Sequence, residues 1–364
     1  MRHARRAARL QTTPGSLRPP AGGGHRHPHA AFLPPAPGRA PLNPVRAAAR
    51  NPLPDREQVN DYAFLGPFGT FTEIALRQVA GSDAQVEPCI SVAGALDAVR
   101  QGRARYAVVP IENSIEGGVN ATLDALTGGA ELWIDREMVV PVAFVLAARP
   151  GTQLRDIRRV ATHPHAWAQC RKWVAKNLPG ATHLPATSTA AAAELLADAD
   201  DPGYEAALCN RLSAEQYGLA VLADDAADNP DARTRFVRVT RPGPLPVATG
   251  ADKTTLMVQL PDNEAGALLT MLEQFAARGV NLSRIESRPV GDRLGRYAFS
   301  IDVEGHLAEE RVQAALIGLH RTCPRVTFLG SYPRCDGQVT AVLPGTRDAD
   351  FAAGRAWIAS LLGH

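Results

Sequence analysis

Short apolar runs alternate with helical patterns over residues 61–240. The apolar runs predict buried strands at 62–66, 106–111, 139–148, 159–163, 181–186 and 205–210. Apolar residues at helical spacing follow most of these runs and predict helices at 72–80, 93–101, 166–177, 189–199 and 211–217. Regular alternation of strands and helices indicates an α/β fold, in which helices cover a sheet.

A second pattern begins after a Pro- and Gly-rich stretch at 241–252, which predicts a linker. Residues 253–334 follow the order strand, helix, strand, strand, helix, strand. This order predicts a small ferredoxin-like βαββαβ domain. Residues 335–364 form a C-terminal tail with one weak helical pattern, to which the sequence assigns no function.

Residues 1–58 show no hydrophobic period. They hold 11 of the 29 prolines and four of the ten histidines, and residues 1–54 contain nine arginines and no acid. This composition predicts a disordered leader. A transit peptide is the alternative, which the prolines disfavour because they break a long amphipathic helix. Without residues 1–54, 30 Lys and Arg face 37 Asp and Glu, a net charge of −7, so nucleic acid is not an expected partner.

The cysteines and apolar runs bear on the location of the chain. Five scattered cysteines without a C-x-x-C pair argue against a disulfide framework and favour a reducing, cytoplasmic location. No apolar run approaches the roughly 20 residues that cross a bilayer, so no membrane partner is expected. His163 and His165 lack a second cluster with ligand spacing, so no metal is expected. Cys170 lies in an apolar helical pattern and is interpreted as a buried thiol.

Four turns between predicted strands and helices are rich in hydroxyl and amide side chains. Thr70 and Glu73 have the spacing of a capping box in the first turn, and Asn113 and Ser114 follow a strand in the second. In the third, THPH at 162–165 joins a strand to a helix, and in the fourth Ser188 lies at a helix start. The first of these turns fits neither G-x-G-x-x-G nor the Walker pattern, so a nucleotide is not expected. Because helix N-termini attract anions, the four turns predict one shared cleft, lined by neutral donors, for an organic anion.

The stretch DNPDARTRFVRV, at 228–239, has two interpretations. In the first it is a strand with solvated arginines. In the second, Thr234 donates a hydrogen bond or a proton and Arg235 adds positive potential. Because threonine is a weak acid, the second requires an oxygen that leaves as negative charge builds on it. The residues alone leave both interpretations open.

Five motifs, in order, resemble those of the prephenate dehydratases, enzymes that make phenylpyruvate on the route to phenylalanine. They are GPFGTFTEIAL, VPIENSIEGGV, THPHAWAQC, STAAAAELL and TRF. The segment GALLTMLEQFAARGVNLSRIESRP resembles the signature of the family's ACT regulatory domain. The resemblance covers about residues 61–334. It implies a catalytic domain at 61–240, made of two α/β lobes like a type II periplasmic binding protein, and an ACT domain at 253–334.

The resemblance also implies the site residues. The family's essential threonine falls on Thr234. The matching substrate-binding positions are Thr70, Asn113, Ser114, Thr162, Gln169, Ser188, Arg235 and Phe236. Ala232 stands where the family commonly has Asn. The implied reaction removes a carboxylate as CO₂ and the 4-hydroxyl as water, and aromatisation drives it. It needs no electron sink, so no cofactor is expected.

The ACT resemblance implies regulation by L-phenylalanine, bound between paired ACT domains of a homodimer or homotetramer. The positions that match this pocket are Gly266, Ala267, Leu268, Asn281, Leu282, Glu286, Ser287, Arg288 and Pro289. Two alternative functions stay open at this point. One is an arogenate dehydratase, which would make phenylalanine directly. The other is a non-catalytic amino-acid sensor, which the departure at Ala232 allows.

Overall fold

The computed structural model describes residues 59–261, 264–289 and 297–363. The predicted leader, residues 1–58, lies outside the described residues. Within the described part of the chain, no helix is long and apolar enough to cross a membrane.

The first lobe is a sheet with helices on both faces. Its elements are β1 (Asn60–Leu65), α1 (Phe71–Arg77), β2 (Val86–Cys89), α2 (Val92–Arg100), β3 (Ala104–Asn113), β4 (Gly117–Gly118), α3 (Asn120–Thr127) and β5 (Trp133–Pro141). Strand β1 pairs in parallel with β2 and β3. Burial of apolar side chains on both faces gives these strands the continuous apolar runs that the sequence shows.

The second lobe has its own five-stranded sheet in the order β10-β6-β9-β7-β8. Its elements are β6 (Val145–Ala148), a 3₁₀ turn (Leu154–Asp156), β7 (Arg159–Thr162), α4 (Pro164–Gln169), α5 (Arg171–Asn177), β8 (Thr182–Pro185), α6 (Thr189–Asp198), β9 (Ala206–Cys209), α7 (Arg211–Gln216) and β10 (Ala220–Ala223). The lobe forms around alanine-rich strands, and β6 and β9 are buried along their whole length.

The chain then returns to the first lobe as β11 (Arg233–Thr240), which lies between β3 and β5 and runs antiparallel to both. The first sheet therefore has the order β2-β1-β3-β11-β5. The two segments that cross between the lobes meet where the Val142 amide donates to the Ala232 carbonyl at 2.8 Å. Two lobes joined in this way confirm the α/β, periplasmic-binding-protein-like fold expected from the sequence.

One strand prediction was wrong. The apolar run 139–148 is not a single strand, because β5 ends at Pro141 and β6 begins at Val145 in the other sheet. Val142 and Phe144, between the two strands, are buried as well. An unbroken apolar run therefore hides the crossing, which a hydrophobic pattern cannot reveal.

The C-terminal domain has the predicted βαββαβ order. Its elements are β12 (Asp252–Gln259), α8 (Ala267–Ala276), β13 (Leu282–Pro289), β14 (Tyr297–Glu304), α9 (Glu310–Thr322) and β15 (Arg325–Pro333), and the helix α10 (Asp348–Leu362) follows. The four strands form an antiparallel sheet in the order β13-β14-β12-β15. Helices α8 and α9 cover one face of this sheet, where Phe275 of α8 and Leu319 of α9 share a core with Ile301 of β14.

The other face of this small sheet packs against the first lobe. Strand β15 lies on β5, where Trp133 and Phe328 form an edge-to-face contact with ring centroids 5.2 Å apart. At Gly330, which has φ +138°, a Cβ atom would lie 2.1 Å from the carbonyl oxygen of Ile134. Only glycine allows this close approach, so the domain is held directly against the sheet that contains Thr234.

Candidate active site

Thr234 and Asn113 lie opposite each other on β11 and β3. The Asn113 Nδ2 group donates to Thr234 Oγ1 at 3.0 Å. Just below this pair, the register between β11 and β3 shifts, so that Ile111 is left without a partner on β11. Such a bulge turns side chains at the end of a strand and is frequent beside active sites. Thr234 is 8 % exposed in this conformation.

The orientation of the Asn113 amide is fixed by its oxygen. Asn113 Oδ1 accepts hydrogen bonds from the backbone amides of Ile115, at 2.8 Å, and Glu116, at 3.3 Å. The amide NH₂ therefore has to be the group that faces Thr234. Since Thr234 Oγ1 accepts in this bond, the hydroxyl proton of Thr234 is directed elsewhere. No side-chain hydrogen bond among the described residues uses that proton.

Ser114 continues the same pairing. Its backbone amide donates to the Arg233 carbonyl at 2.9 Å, and its hydroxyl accepts from the Arg233 amide at 3.0 Å. These bonds tie the loop after β3 to the beginning of β11. Asn113, Ser114 and Thr234 are thus brought together where β3 ends and β11 begins.

A cavity of about 720 Å³ lies between the two lobes. Hydroxyl side chains line it from both lobes, Thr70 and Thr72 from one and Thr187 and Ser188 from the other. Glu194 is the only charged residue among its lining residues in the described part of the chain. Hydroxyl side chains make up most of its polar lining, apolar residues and Gly66 form the rest, and Thr234 and Asn113 are not part of this wall.

Thr70 and Ser188 are the N-caps of α1 and α6. Thr70 Oγ1 accepts from the Glu73 amide at 3.4 Å, and Ser188 Oγ accepts from the Ala191 amide at 2.9 Å. The predicted capping box differs in one bond, because the Glu73 carboxylate accepts from Gly69 rather than from Thr70. Glu73 is buried and is also bonded to Arg77, so its charge is compensated locally.

Other predicted residues of the second lobe have different environments. Thr162 is fully buried and its hydroxyl donates to the Leu208 carbonyl at 2.6 Å, so it presents no surface to a substrate in this conformation. Gln169 is half-buried, and its Oε1 is buried without a hydrogen-bond partner among the described residues. A buried acceptor of this kind is costly unless a ligand or water satisfies it. Gln169 is therefore the member of this group that suits ligand binding.

The cleft is closed by contacts that the sequence did not indicate. Asn210 and Ser213, at the start of α7, both donate to the carbonyl of Gly69 in the other lobe, at 2.7 and 2.6 Å. The Tyr217 hydroxyl donates to the Phe68 carbonyl at 3.2 Å. Asn210 also caps α7 by accepting from the Ser213 amide. Its capping position can be read from the sequence, whereas its bond across the cleft cannot.

His163 and His165 lie at the beginning of α4. Burial, reinforced by the nearby His165, lowers the pKa of His163. His165 Nδ1 lies 2.6 Å from the Glu116 carboxylate across the cleft. Among the described residues, no group of three or more His, Cys, Asp or Glu is placed to hold a metal. Cys170 is buried, as predicted, and burial raises the pKa of its thiol to about 12.

Arg235 and Phe236 do not face the cleft. The Arg235 side chain is 7 % exposed and is bound by three carboxylates on the side of the C-terminal domain. Phe236 is 2 % exposed and packs in the core between the sheet and α1. The expected substrate contact of Arg235 is therefore corrected, because neighbouring residues of a strand point to opposite faces. Ala232 is buried at the crossing between the lobes.

The residues predicted to bind an effector lie in two places. Gly266 caps α8 with φ 90°, and it lines a cavity of about 230 Å³ with Ala267. Leu268 follows in the same helix and is exposed. Asn281, Leu282, Glu286, Ser287, Arg288 and Pro289 lie on or beside β13. Within one chain, none of this second group lines the cavity at Gly266.

Two of the β13 side chains contact the catalytic lobe. The Glu286 carboxylate lies so close to Gly118 that a Cβ atom there would be 1.8 Å from its Oε2. Arg288 bonds to Asn120 and to Asp124 at the beginning of α3. Both contacts lie beyond Asn113, the last residue of β3, along the chain. The predicted effector strand thus touches the segment that follows the candidate catalytic residues.

The fold and the site together define a class of protein. It consists of two α/β lobes that meet at hydroxyl and amide side chains, with a ferredoxin-like domain on one edge. Residues 62–244 match the family described as prephenate dehydratase, and residues 254–321 match the ACT domain.

Several proteins of similar sequence or structure are known. A prephenate dehydratase of Mycolicibacterium vanbaalenii is 46% identical over 301 residues, which cover 79% of this chain and 94% of the relative. A solved structure of a prephenate dehydratase from Arthrobacter aurescens, in complex with L-Phe, is 59% identical with a TM-score of 0.80, and the match covers 84% of this chain and 100% of that one. Another solved structure, described as GqqA, a novel type of quorum quenching acylase, is 33% identical with a TM-score of 0.67 and covers 74% of this chain and 97% of that one. The chain belongs to the prephenate dehydratase family, whose curated members are lyases.

Proposed function

We propose that the chain converts prephenate into phenylpyruvate, CO₂ and water in the biosynthesis of L-phenylalanine, with Thr234 assisting the departure of the hydroxyl group. The observation that supports this role is the hydrogen bond from Asn113 Nδ2 to Thr234 Oγ1, in a chain of this family. It leaves the threonine proton available at the end of two paired strands, where ligands commonly bind in α/β proteins.

The reaction breaks two bonds of the substrate. The C–C bond to the ring carboxylate breaks and releases CO₂, and its electron pair enters the ring. The C–O bond at position 4 then breaks, and its electron pair leaves with the oxygen. One proton from solvent converts the leaving hydroxyl into water. The new aromatic ring accounts for the electrons, so the balance requires no oxidant or reductant.

The proposed contribution of Thr234 is a hydrogen bond to the departing oxygen. Negative charge grows on that oxygen in the transition state, so a donor there stabilises the transition state more than the substrate. Asn113 makes this donor effective because it occupies the acceptor side of the hydroxyl. The nearby Ser114 and Gln169 are proposed to bind the substrate from the two lobes.

The carboxylates of the substrate are proposed to be held mainly by neutral donors. Ser188 contributes from the wall of the inter-lobe cavity, and the amides at the N-termini of α1 and α6 add positive potential. Thr70 lines the same wall, and its hydroxyl must first leave the Pro67 carbonyl, to which it donates at 3.1 Å. Arg235 has no part in this binding, since its guanidinium group is engaged on the other face of the sheet. The bonds from Asn210 and Ser213 to Gly69 have to open for the substrate to enter.

L-phenylalanine is proposed to inhibit the enzyme through the C-terminal domain. The similar structure from Arthrobacter aurescens contains L-Phe, and residues 254–321 match the ACT domain. The proposed pocket joins Gly266, Ala267 and Leu268 with residues 281–289, and requires a second copy of the chain in a homodimer or homotetramer. The location proposed for this enzyme is the cytoplasm.

The test is an assay of the purified full-length chain with prephenate and, separately, with arogenate. Phenylpyruvate formed from prephenate, at a kcat/KM well above that for arogenate, supports the proposal. Thr234→Ala is expected to lower kcat about 10²- to 10⁴-fold without a change in thermal melting. Thr240→Ala, at the other end of β11, is the matched control and should keep wild-type turnover.

Three outcomes contradict parts of the proposal. A Thr234→Ala variant within threefold of wild type removes Thr234 from the role. Preference for arogenate makes the enzyme an arogenate dehydratase. Binding of phenylalanine without turnover of either substrate identifies a sensor instead of an enzyme.

A further inference from the structure

A buried ion cluster joins the strand of Thr234 to the C-terminal domain. We call it the interdomain ion cluster. The catalytic domain contributes Arg235, Glu112 and Glu137, and the C-terminal domain contributes Lys253, Arg284 and Asp302. Glu286 also pairs with Arg284, at 3.2 Å, so three cations face four carboxylates.

Arg235 is the residue that connects the two halves of the cluster. Its Nε donates to Glu112 Oε2 at 3.0 Å, its Nη1 donates to Glu137 Oε2 at 3.2 Å, and its Nη2 donates to Asp302. Each nitrogen of the guanidinium group thus has a different carboxylate as its partner. A buried guanidinium with three directional bonds has one stable position, since leaving any partner would leave a charge unpaired in the interior.

Asp302, the partner from the other domain, is itself held firmly. It accepts from Arg284 Nε at 3.0 Å and from Thr255 Oγ1 at 2.8 Å. The Thr255 hydroxyl also contacts the Tyr332 hydroxyl at 2.6 Å. Asp302, Thr255 and Tyr332 belong to three different strands of the small sheet. A displacement of that sheet therefore moves Asp302, and the Arg235 side chain that is bonded to Asp302 has to move with it.

The cluster lies next to the catalytic pair along the backbone. Thr234 is opposite Asn113, and the next pair along the same two strands is Arg235 opposite Glu112. The Arg235–Glu112 ion pair thus links the same strands one residue away from the Asn113–Thr234 hydrogen bond. The register shift that follows at Phe236 leaves these two pairs as a short unit at the strand end.

We propose that Arg235 is a positioning residue, through which Asp302 of the C-terminal domain sets the separation of Thr234 and Asn113. This inference rests on the proposed function, because it assumes that these two residues serve the reaction. Arg235 touches no substrate. Its ion pair with Glu112 fixes the end of β11 relative to β3. Because Arg235 is also bound to Asp302, the geometry of this pair depends on the position of the sheet in the C-terminal domain.

The test compares two substitutions that each remove one carboxylate charge from an arginine of β11. Asp302→Asn removes the contact from the C-terminal domain. Asp135→Asn removes the partner of Arg238 on the same strand, an ion pair at 2.8 Å that lies wholly within the catalytic domain. The full-length variants are assayed for kcat and KM with prephenate, for inhibition by L-phenylalanine, and for phenylalanine binding by calorimetry.

For Asp302→Asn we expect kcat to fall about 10- to 100-fold, as for a small misplacement of a catalytic group, while KM stays within about threefold. Phenylalanine should still bind, but the fractional inhibition it causes should be clearly smaller. Asp135→Asn should match wild type within about twofold in all of these. A purely structural role would lower the yield or the melting temperature and would not separate phenylalanine binding from inhibition.

Wild-type kcat and full inhibition in Asp302→Asn would overturn the proposal, as would an equal loss of kcat in Asp135→Asn. If Asp302→Asn does not fold, Thr255→Val decides. It removes one donor to Asp302 and should give the same changes to a smaller extent, so wild-type behaviour of this variant also overturns the inference. A wild-type chain that forms no phenylpyruvate would contradict the proposed function, which is a distinct result.

Discussion

Thr234 and Arg235 are neighbours in β11, yet they lie in opposite kinds of environment. Thr234 has an uncharged partner, since the amide of Asn113 donates to its hydroxyl. Arg235 lies among three carboxylates, on the side of the C-terminal domain. The alternation of a single strand separates the uncharged pair proposed to serve the reaction from a charged contact between domains.

The difference has a physical reason. A doubly negative substrate that loses CO₂ must be held without strong stabilisation of its ground state, because only the transition state should be favoured. Neutral donors meet this requirement better than a strong ion pair with a guanidinium group would. The charges of β11 are used instead for assembly, where buried ion pairs impose one geometry.

The largest effect is expected when a negative charge replaces the neutral amide of Asn113, the partner of Thr234. In Asn113→Asp, one carboxylate oxygen can still accept from Ile115, but the other would accept the Thr234 proton in place of donating to it. We expect kcat at neutral pH to fall about 10²- to 10³-fold. Measured kcat from pH 8 to 5 should rise as the carboxyl group becomes protonated and regains a donor.

Asn177→Asp, at an exposed position in α5, is the control for the added charge. It should leave kcat and its pH profile unchanged. An Asn113→Asp enzyme with wild-type kcat at neutral pH would contradict the orienting role of the amide.

On the charged side, removal of one buried carboxylate should lower the free energy of unfolding more than removal of a carboxylate at the surface. Glu137 is buried and bonded to Arg235 and Lys253. Glu137→Gln should lower the free energy of unfolding by about 3–5 kcal/mol. The reason is that Lys253 and Arg235, both largely buried, each lose one carboxylate partner. Urea unfolding at neutral pH gives this value.

The half-exposed carboxylate of Asp97, which pairs with the largely buried Arg100, provides the comparison. Asp97→Asn should cost at most about 1 kcal/mol. Equal losses in Glu137→Gln and Asp97→Asn would mean that the cluster contributes no more than a surface pair.

The charged side should also respond to acid. Burial alone would raise the pKa of Asp302, but Arg235 and Arg284 outweigh it and lower that pKa below its usual value. A group with a lowered folded-state pKa contributes stability above its unfolded pKa of about 3.9. This contribution is lost as the pH falls below that value.

Wild type should therefore lose melting temperature as the pH is lowered from about 5 to about 2, and Asp302→Asn should lose less over the same range. Calorimetric melting curves measure the difference. A parallel decline in the two proteins would show that the charge of Asp302 does not contribute.

The smallest effect is expected at the mouth of the cleft. His165 Nδ1 contacts the Glu116 carboxylate between the lobes, but both side chains are largely exposed, so the contact contributes little. His165→Ala should change KM for prephenate by less than about threefold and leave kcat unchanged. A larger change in KM would show that charge, rather than neutral contacts, controls closure of the cleft.

The sequence predicted the layers of the fold because apolar periodicity carries that information directly. The α/β layers and the βαββαβ order of the C-terminal domain were expected on this basis. The division into two lobes was implied by the family resemblance, and the caps Thr70 and Ser188 were expected from hydroxyl side chains at helix starts. The crossing at Val142 was not, because the run 139–148 is apolar throughout and the break between sheets leaves no mark in it.

The candidate site was predictable in part. Hydroxyl and amide residues after strands pointed to Asn113 and Ser114, and the TRF motif pointed to Thr234. The direction of Arg235 could not be foreseen, because the carboxylate of Asp302 that binds it is 67 residues away in the chain. Contacts such as that of Asn210 with Gly69 depend in the same way on how the lobes approach each other.

The most direct test of the central claim is a crystal structure of the full-length enzyme with an unreactive substrate mimic that retains the 4-hydroxyl group. The account predicts that this hydroxyl lies within about 3.2 Å of Thr234 Oγ1, with Asn113 still bonded to the threonine and Arg235 still bound to its three carboxylates. A mimic bound with its hydroxyl away from Thr234, or held by Arg235, would contradict it.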